Sequence, residues 1–141
     1  MPLKVSNFMT SKVLTANQND GIRQTFFRMR ENEVRHMPVL DDDRKLVGII
    51  SDRDFSAFTG AAEDDVIDAV ESARSSTVGN FMNTSPVKVD PETNIRDVVE
   101  LMLLHRVGAV PVADLDTGDL LGIVSYVDLL RVLQETLEPG A

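Results

Sequence analysis

A duplicated Gly-x-x-Ser-x-x-Asp pattern is the feature of this sequence that most constrains its fold. The two copies read GIISDRD at residues 48–54 and GIVSYVD at residues 122–128. In each copy a short apolar run leads to the serine, as is typical of a buried strand, and the acid that follows is typical of the first turn of a helix. The chain therefore contains two copies of one strand-to-helix junction.

Each junction places a hydroxyl and a carboxylate together, as Ser51 with Asp54 and as Ser125 with Asp128. The backbone N–H groups at the start of a helix have no helical partners and can hold a phosphate or another anion. We therefore expect a ligand site at these junctions. A simpler interpretation is that the two acids only stabilise the helix dipole from the first turn.

The repeat extends well upstream of the junctions. A VSNFM segment at residues 5–9 returns as VGNFM at 78–82, and a Pro-Val pair precedes each junction, at 38–39 and 111–112. Apolar residues between these landmarks have helical spacing in both copies. The sequence thus predicts a helix between the repeated opening segment and the Pro-Val strand.

Caps and short strands are predicted around that helix. Asp20 is the candidate N-cap in the first copy, and Thr93 or Asn94 in the second. Brief strands are predicted over residues 13–16 and 87–89, just before the caps.

The polar turns at residues 41–45 and 114–119 have the length of hairpin loops, so the second and third strands of each copy should pair antiparallel. Each copy then reads β-α-β-β-α, and the expected fold class is α+β, in an α/β sandwich-like arrangement. A unit of this size is marginal alone, so the copies are expected to pack sheet to sheet about a pseudo-twofold axis. We divide the chain into a first repeat (1–58), a partly helical connector (59–77), a second repeat (78–137) and a disordered tail (138–141).

Composition excludes several classes of protein. The 141-residue chain has no cysteine, which excludes disulfides and thiol nucleophiles, and its 43% hydrophobic and 26% charged residues are typical of a globular protein. A formal net charge of −9 argues against nucleic acid and anionic membranes as partners, and no apolar run approaches the length of a membrane span. We expect a cytoplasmic protein without nucleic-acid or membrane partners.

Catalysis and metal binding have little support. Two histidines and no cysteine provide no nucleophile or acid–base pair at a recognisable spacing, so we predict that the chain is not an enzyme and requires no cofactor. His105 is assigned to local hydrogen bonding or to charge at a helix end. The aspartates at 41–43 and 114–119 lack the ligand order of an EF-hand loop and are interpreted as solvated turns.

The duplicated motifs resemble a tandem pair of CBS domains, the cystathionine-beta-synthase-type repeats whose paired form is called a Bateman module. The resemblance rests on the Pro-Val strands, the two Gly-x-x-Ser-x-x-Asp segments and the β-α-β-β-α order, and it covers residues 5–133. It implies a cleft between the repeats that binds adenine nucleotides or related adenosyl compounds.

The resemblance also implies a role for individual residues. Asp54 and Asp128 match the carboxylate that accepts hydrogen bonds from the ribose hydroxyls, and Ser51 and Ser125 match the hydroxyl near the sugar and first phosphate. The residues that match phosphate-binding cations are Arg35, His36 and Arg53, although Arg35-His36 has the alternative of a surface pair. The residues that match the backbone and apolar contacts to adenine are Lys12, Val13, Leu14, Met37, Pro38, Ile50, Ser85, Pro86, Val87 and Val124.

The two copies differ in charge. The second copy has Gly108-Ala109 in place of Arg35-His36, and Val127 in place of Arg53. Arginine can hold phosphate in a bidentate fork, whereas the replacements offer no charge. We expect one competent site, which favours AMP, ADP or ATP over a sulfonium ligand, and one weak, empty or differently loaded site.

The sequence leaves two functions open. One is a stand-alone regulatory module that binds an adenosine-containing ligand and transmits its occupancy to an unidentified regulated protein in trans. The other is a protein-interaction or scaffold module with a degenerate nucleotide pocket. Because members of the family commonly pair through helix faces, we expect a homodimer. The candidate contacts are Phe55, Phe58, Leu129, Leu130 and Leu133.

Overall fold

The computed structural model describes residues 3–59, 67, 70, 71, 75–137 and 139. These residues form a mixed α+β structure with two small sheets, which confirms the predicted fold class. In chain order the elements are a 3-10 turn at Val5–Asn7, β1 (Ala16–Asn17), α1 (Ile22–Glu31), β2 (His36–Leu40), β3 (Leu46–Ser51), α2 (Asp52–Thr59), a 3-10 turn at Val78–Asn80, α3 (Ile95–His105), β4 (Ala109–Ala113), β5 (Leu120–Ser125) and α4 (Tyr126–Thr136).

The chain divides into two compact units that exchange their opening segments. The first unit is Leu14–Pro86, and the second unit combines Met1–Val13 with Val87–Ala141. The VSNFM segment of the first copy therefore packs in the unit built on β4 and β5, and the VGNFM segment packs in the unit built on β2 and β3. Each unit thus contains the opening segment of the other sequence copy.

The first unit contains a three-stranded sheet in the order β1-β2-β3. β1 pairs parallel with β2, and β2 pairs antiparallel with β3, as the short polar turn predicts. Both strands of the hairpin direct alternate apolar side chains into one core beneath the helices. That core is formed by Ala16, Ile22, Phe26, Met29, Met37, Val39, Ile50, Phe55, Val70 and Val78.

The start of α2 and part of the connector belong to that core. Phe55 is 3% exposed, and its ring centroid lies 5.0 Å from that of Phe26. The expectation that Phe55 lies on an intermolecular helix face is therefore wrong. Ile67 and Val70 are helical, and Val70 is fully buried. The Phe58 side chain, most of the connector and most of the tail lie outside the described residues.

The second unit repeats the hairpin, with β4 antiparallel to β5. Its helix α3 begins at the predicted cap, because the Asn94 side chain accepts a hydrogen bond of 2.8 Å from the Arg96 backbone N–H. The core of this unit is formed by Val5, Val89, Ile95, Val98, Met102, Val110, Val112 and Val124.

Two local predictions are corrected. The first strand of each copy is shorter than expected: β1 has two residues, and in the second copy Val89 makes a single parallel bridge to Val112. Asp20 does not cap α1, whose N-cap is Gly21. The Asp20 carboxylate instead accepts a hydrogen bond of 2.9 Å from the Asn17 N–H and so closes the turn before the helix.

The glycine of each duplicated motif allows an exchanged segment to approach the hairpin. Ile49 and Asn83 exchange two backbone hydrogen bonds of 2.9 and 3.1 Å beside Gly48. A Cβ on Gly48 would lie 2.6 Å from the Met82 sulfur and 2.7 Å from the Asn83 carbonyl oxygen. The second unit repeats this arrangement, since a Cβ on Gly122 would lie 2.9 Å from the carbonyl oxygen of Thr10.

Alanine at Gly48 or Gly122 should therefore destabilise the fold by about 1–3 kcal/mol, because a carbonyl oxygen cannot move aside as a side chain can. Urea unfolding of each variant measures this cost. Gly79→Ala is the graded control, because its Cβ would lie 3.1 Å from the Gln18 carbonyl oxygen and should cost less. Equal stability of wild type and Gly48→Ala would contradict the close approach.

Candidate functional site

The two strand-to-helix junctions share one hydrogen-bond pattern. Asp54 Oδ2 accepts hydrogen bonds from the Ser51 N–H at 2.7 Å and from Ser51 Oγ at 3.2 Å. Asp128 Oδ2 accepts the equivalent bonds from Ser125 at 2.9 and 3.2 Å, and Ser125 Oγ accepts one from the Asp128 N–H at 3.4 Å. In both junctions the acid thus uses one carboxylate oxygen, Oδ2, to accept the hydrogen bonds of the serine at the start of the helix.

The second carboxylate oxygen distinguishes the junctions. Asp128 is 9% exposed, and its Oδ1 lies 3.8 Å from Nη1 of Arg131, one turn along α4. Asp54 is half-buried, and uncharged Ala57 stands at the position that corresponds to Arg131. Sequence reasoning did not single out Arg131, although its spacing from Asp128 along the helix was a usable signal. The first junction thus keeps a carboxylate oxygen without this local arginine.

Backbone pairing brings the predicted cations to the first junction. His36 stands opposite Ser51 in the β2–β3 ladder, and the Arg35 carbonyl oxygen accepts a hydrogen bond of 2.9 Å from the Asp52 N–H. Nη1 of Arg35 lies 3.8 Å from Oδ2 of Asp52, and both side chains are exposed. Asp52, which sequence reasoning also missed, therefore anchors Arg35 weakly at the start of α2.

The second junction has the same backbone frame with other side chains. Ala109 stands opposite Ser125, and the Tyr126 N–H donates a hydrogen bond of 3.0 Å to the Gly108 carbonyl oxygen. Tyr126 and Val127 are both exposed at the start of α4. The frame is therefore duplicated, while the cations of the first junction are replaced by uncharged groups.

His36 is the group whose ionisation the first junction changes. Burial lowers the pKa of the His36 imidazole from its ordinary value of 6.5, the carboxylates of Asp52 and Asp54 oppose that change, and Arg35 and Arg53 add to it. The imidazole is therefore neutral at physiological pH. Arg35 and Arg53 carry the positive charge of the first junction, and His36 contributes an uncharged ring that can form hydrogen bonds.

The residues expected to contact adenine fall on both units. The side chains of Met37, Ile50 and Val124 are fully buried in the cores, so what these residues can offer a ligand is their main chain. Leu14, Pro38, Ser85 and Pro86 belong to the first unit, and Lys12, Val13 and Val87 belong to the second unit.

Two further properties of the described residues bear on the class of site. Among the described residues, no group of three or more His, Cys, Asp or Glu side chains could hold a metal ion. Within the same part of the chain, every helix is too short or too polar to cross a membrane.

Comparison with known proteins identifies the family. The model of the CBS domain matches residues 5–58 and 78–135, so this chain belongs to the CBS domain family. A CBS domain-containing protein of Dictyostelium discoideum is 30% identical over 141 residues, which cover 99% of this chain and 97% of that protein. The chloroplastic protein CBSX1 of Arabidopsis thaliana is 27% identical, and the match covers 96% of this chain and 66% of CBSX1.

Solved structures agree with this assignment. The CBS-pair protein CBSX2 of Arabidopsis thaliana superposes with a TM-score of 0.83 at 28% sequence identity, over 96% of each chain. A crystal structure of CBSX2 in complex with AMP superposes with a TM-score of 0.78 at 28% identity, over 94% of this chain and 96% of the CBSX2 chain. The fold of this chain is thus that of a CBS pair.

In mild acid the free energy of unfolding should fall less in His36→Gln than in the wild-type chain. The folded-state pKa of His36 lies below the ordinary value of 6.5, so the unfolded chain takes up the proton first. The stability that the neutral His36 imidazole contributes is fully present above pH 6.5. This stability is lost as pH falls from there through the lower, folded-state pKa. Urea unfolding between about pH 8 and about pH 5.5 measures the difference. The control is His105→Gln, at an exposed position, and equal slopes in wild type and His36→Gln would contradict the prediction.

Proposed function

We propose that this chain is a regulatory module that binds an adenine nucleotide at the first junction and reports its occupancy to a protein partner. One observation carries the proposal: two junctions share a backbone frame, but only the first places Arg35, His36 and Arg53 beside its carboxylate. A nucleotide carries both a ribose diol and a phosphate, and this junction offers a group for each. AMP, ADP and ATP all meet that requirement.

Each side chain has a role that its environment permits. Asp54 Oδ2 is occupied by Ser51, so Oδ1 accepts the hydrogen bonds of the ribose hydroxyls. Arg35 exchanges its exposed, 3.8 Å contact with Asp52 for a charge-assisted contact with phosphate, which is a favourable exchange because exposed pairs contribute little. Arg53 supplies a second cation from the first turn of α2. The structure of CBSX2 with AMP, at 28% identity, supports this ligand class.

The second junction is proposed to be weak or empty for nucleotides. Gly108, Ala109 and Val127 provide no cation for a phosphate, and Asp128 already has Arg131 near its second oxygen. A ligand shifts a conformational equilibrium only as far as its affinities for the two states differ. Nucleotide occupancy of the first junction is therefore the signal that this module transmits. In this proposal the module acts in the cytoplasm, catalyses no reaction and requires no cofactor.

The helices of the second unit offer the surface for a protein partner. On α4, Leu130 is 56% exposed and Leu133 is 51% exposed, while on α3 Leu103 is 75% exposed and Leu104 is 72% exposed. Apolar patches on a soluble protein commonly mark protein contacts. We assign the α4 patch to a second copy of this chain. The same surface favours the second candidate function, an interaction module without a nucleotide, should the first junction bind none.

Loss of a cation at the first junction should weaken AMP binding. A hydrogen bond to a charged group contributes about 1.5–3 kcal/mol, so Arg35→Ala should reduce the affinity for AMP by about 10- to 100-fold. Asp54→Asn should have an effect of similar size, since it keeps the shape of the carboxylate and removes its charge. Calorimetric titration gives the affinities, and urea unfolding verifies that each variant is folded.

The matched control is Arg96→Ala, which removes an exposed arginine from α3 in the second unit. Its affinity for AMP should equal that of wild type. If Arg35→Ala and Arg96→Ala bind AMP equally well, the first junction is not the phosphate site. If the wild-type chain binds no adenine nucleotide, the interaction module replaces the sensor.

A charge on the α4 patch should break the homodimer. Leu130→Glu together with Leu133→Glu would bury two carboxylates in an apolar contact. The free-energy cost of burying these charges is larger than the free energy that the contact contributes to dimer formation. Light scattering at micromolar concentration should give the dimer mass for wild type and the monomer mass for this variant. Leu115→Glu, at an exposed turn residue, is the control. A wild-type monomer would contradict this assignment of the patch.

A further inference from the structure

The His36 imidazole lies on the same face of the first hairpin as the Ser51 hydroxyl. Residues that stand opposite each other in an antiparallel pair have Cβ atoms about 5 Å apart and side chains on the same face. His36 stands opposite Ser51, whose Oγ donates a hydrogen bond of 3.2 Å to Asp54 Oδ2. The imidazole is therefore next to the hydroxyl and carboxylate that the proposed nucleotide would meet.

The charges that face His36 are nearly balanced in the free protein. The start of α2 contributes Asp52, Arg53 and Asp54, and the residue before β2 contributes Arg35, so two carboxylates oppose two guanidinium groups. Partial burial of the ring then decides its ionisation, and the pKa of His36 is lowered. A small change in the surrounding charge can therefore change the protonation state of this ring.

A phosphate at this junction is such a change. AMP carries between one and two negative charges near neutral pH, and contact with Arg35 and Arg53 offsets the two positive charges that disfavour a protonated imidazole. The two carboxylates remain and favour the proton. The net charge around His36 is thus negative in the occupied junction, whereas it is close to zero in the free junction.

We propose that His36 couples nucleotide binding to proton uptake: the imidazole is neutral in the free module and protonated when a phosphate occupies the junction, so the module binds AMP more tightly as pH falls. The inference rests on the proposed function, since it concerns the same junction. Coupling of this kind is reciprocal, because a ligand that raises the proton affinity of a group is itself bound more tightly by the protonated form. Between the free and bound midpoints of His36, the affinity for AMP changes by at most about tenfold per pH unit.

The test uses the wild-type chain and needs no disabling variant. The chain has two histidines, so its imidazole C–H resonances form two sets, which the exposed-site variant His105→Gln assigns. Both sets are followed against pH by NMR, without AMP and at saturating AMP. AMP should raise the titration midpoint of His36 by at least half a pH unit.

A second measurement separates His36 from the phosphate of AMP, whose own pKa is about 6. The affinity for AMP is measured by calorimetry at about pH 8 and about pH 6 for wild type and for His36→Gln. Wild type should gain several-fold more affinity on acidification than the variant, which retains the contribution of the ligand alone.

The outcomes separate the two proposals. If AMP binds and the His36 midpoint does not move, the proton coupling is wrong and the nucleotide site stands. If AMP, ADP and ATP at millimolar concentration change neither the spectrum nor the calorimetric trace, the nucleotide site is wrong and the coupling falls with it. Equal pH dependence in wild type and His36→Gln also overturns the coupling.

Discussion

The hydrogen bonds between each motif acid and its serine are the interaction on which the rest of the structure depends. Asp54 and Asp128 hold the N–H and hydroxyl groups of the last strand residue, so the register of the hairpin determines where the following helix begins. Because one carboxylate oxygen is occupied by this task, the orientation of the other is fixed as well. The junction that connects the last strand to the following helix thus brings together an acid, a hydroxyl and the first N–H groups of that helix.

Local patterns predicted the features that local forces determine. The hairpins, the junctions and the Asn94 cap follow from turn length, apolar runs and side-chain chemistry. The exchange of the opening segments could not be predicted, because either hairpin has a glycine that admits such a segment. Asp20 failed as a cap because the turn at Asn17 competes for the same carboxylate. The burial of Phe55 depends on Phe26 and on its neighbours in a core that spacing alone does not define.

The chemistry of the candidate site could be predicted only in part from the sequence. The charge difference between the copies is visible in the sequence, and backbone hydrogen bonds show that Arg35-His36 and Gly108-Ala109 occupy equivalent positions. The ionisation of His36 depends on burial and on four surrounding charges, and therefore required coordinates. Among the described side chains, large exposed leucines lie on α3 and α4 of the second unit. We infer a division of labour in which the first unit binds the ligand and the second unit contacts proteins.

Only one of the two junctions is proposed to bind a nucleotide through its phosphate. Calorimetric titration of the wild-type chain with AMP, repeated with adenosine, tests this most directly. One AMP per chain should bind saturably, and adenosine should bind much more weakly because Arg35 and Arg53 then have no phosphate to contact. Two equal AMP sites per chain, or equal affinities for AMP and adenosine, would contradict this proposal.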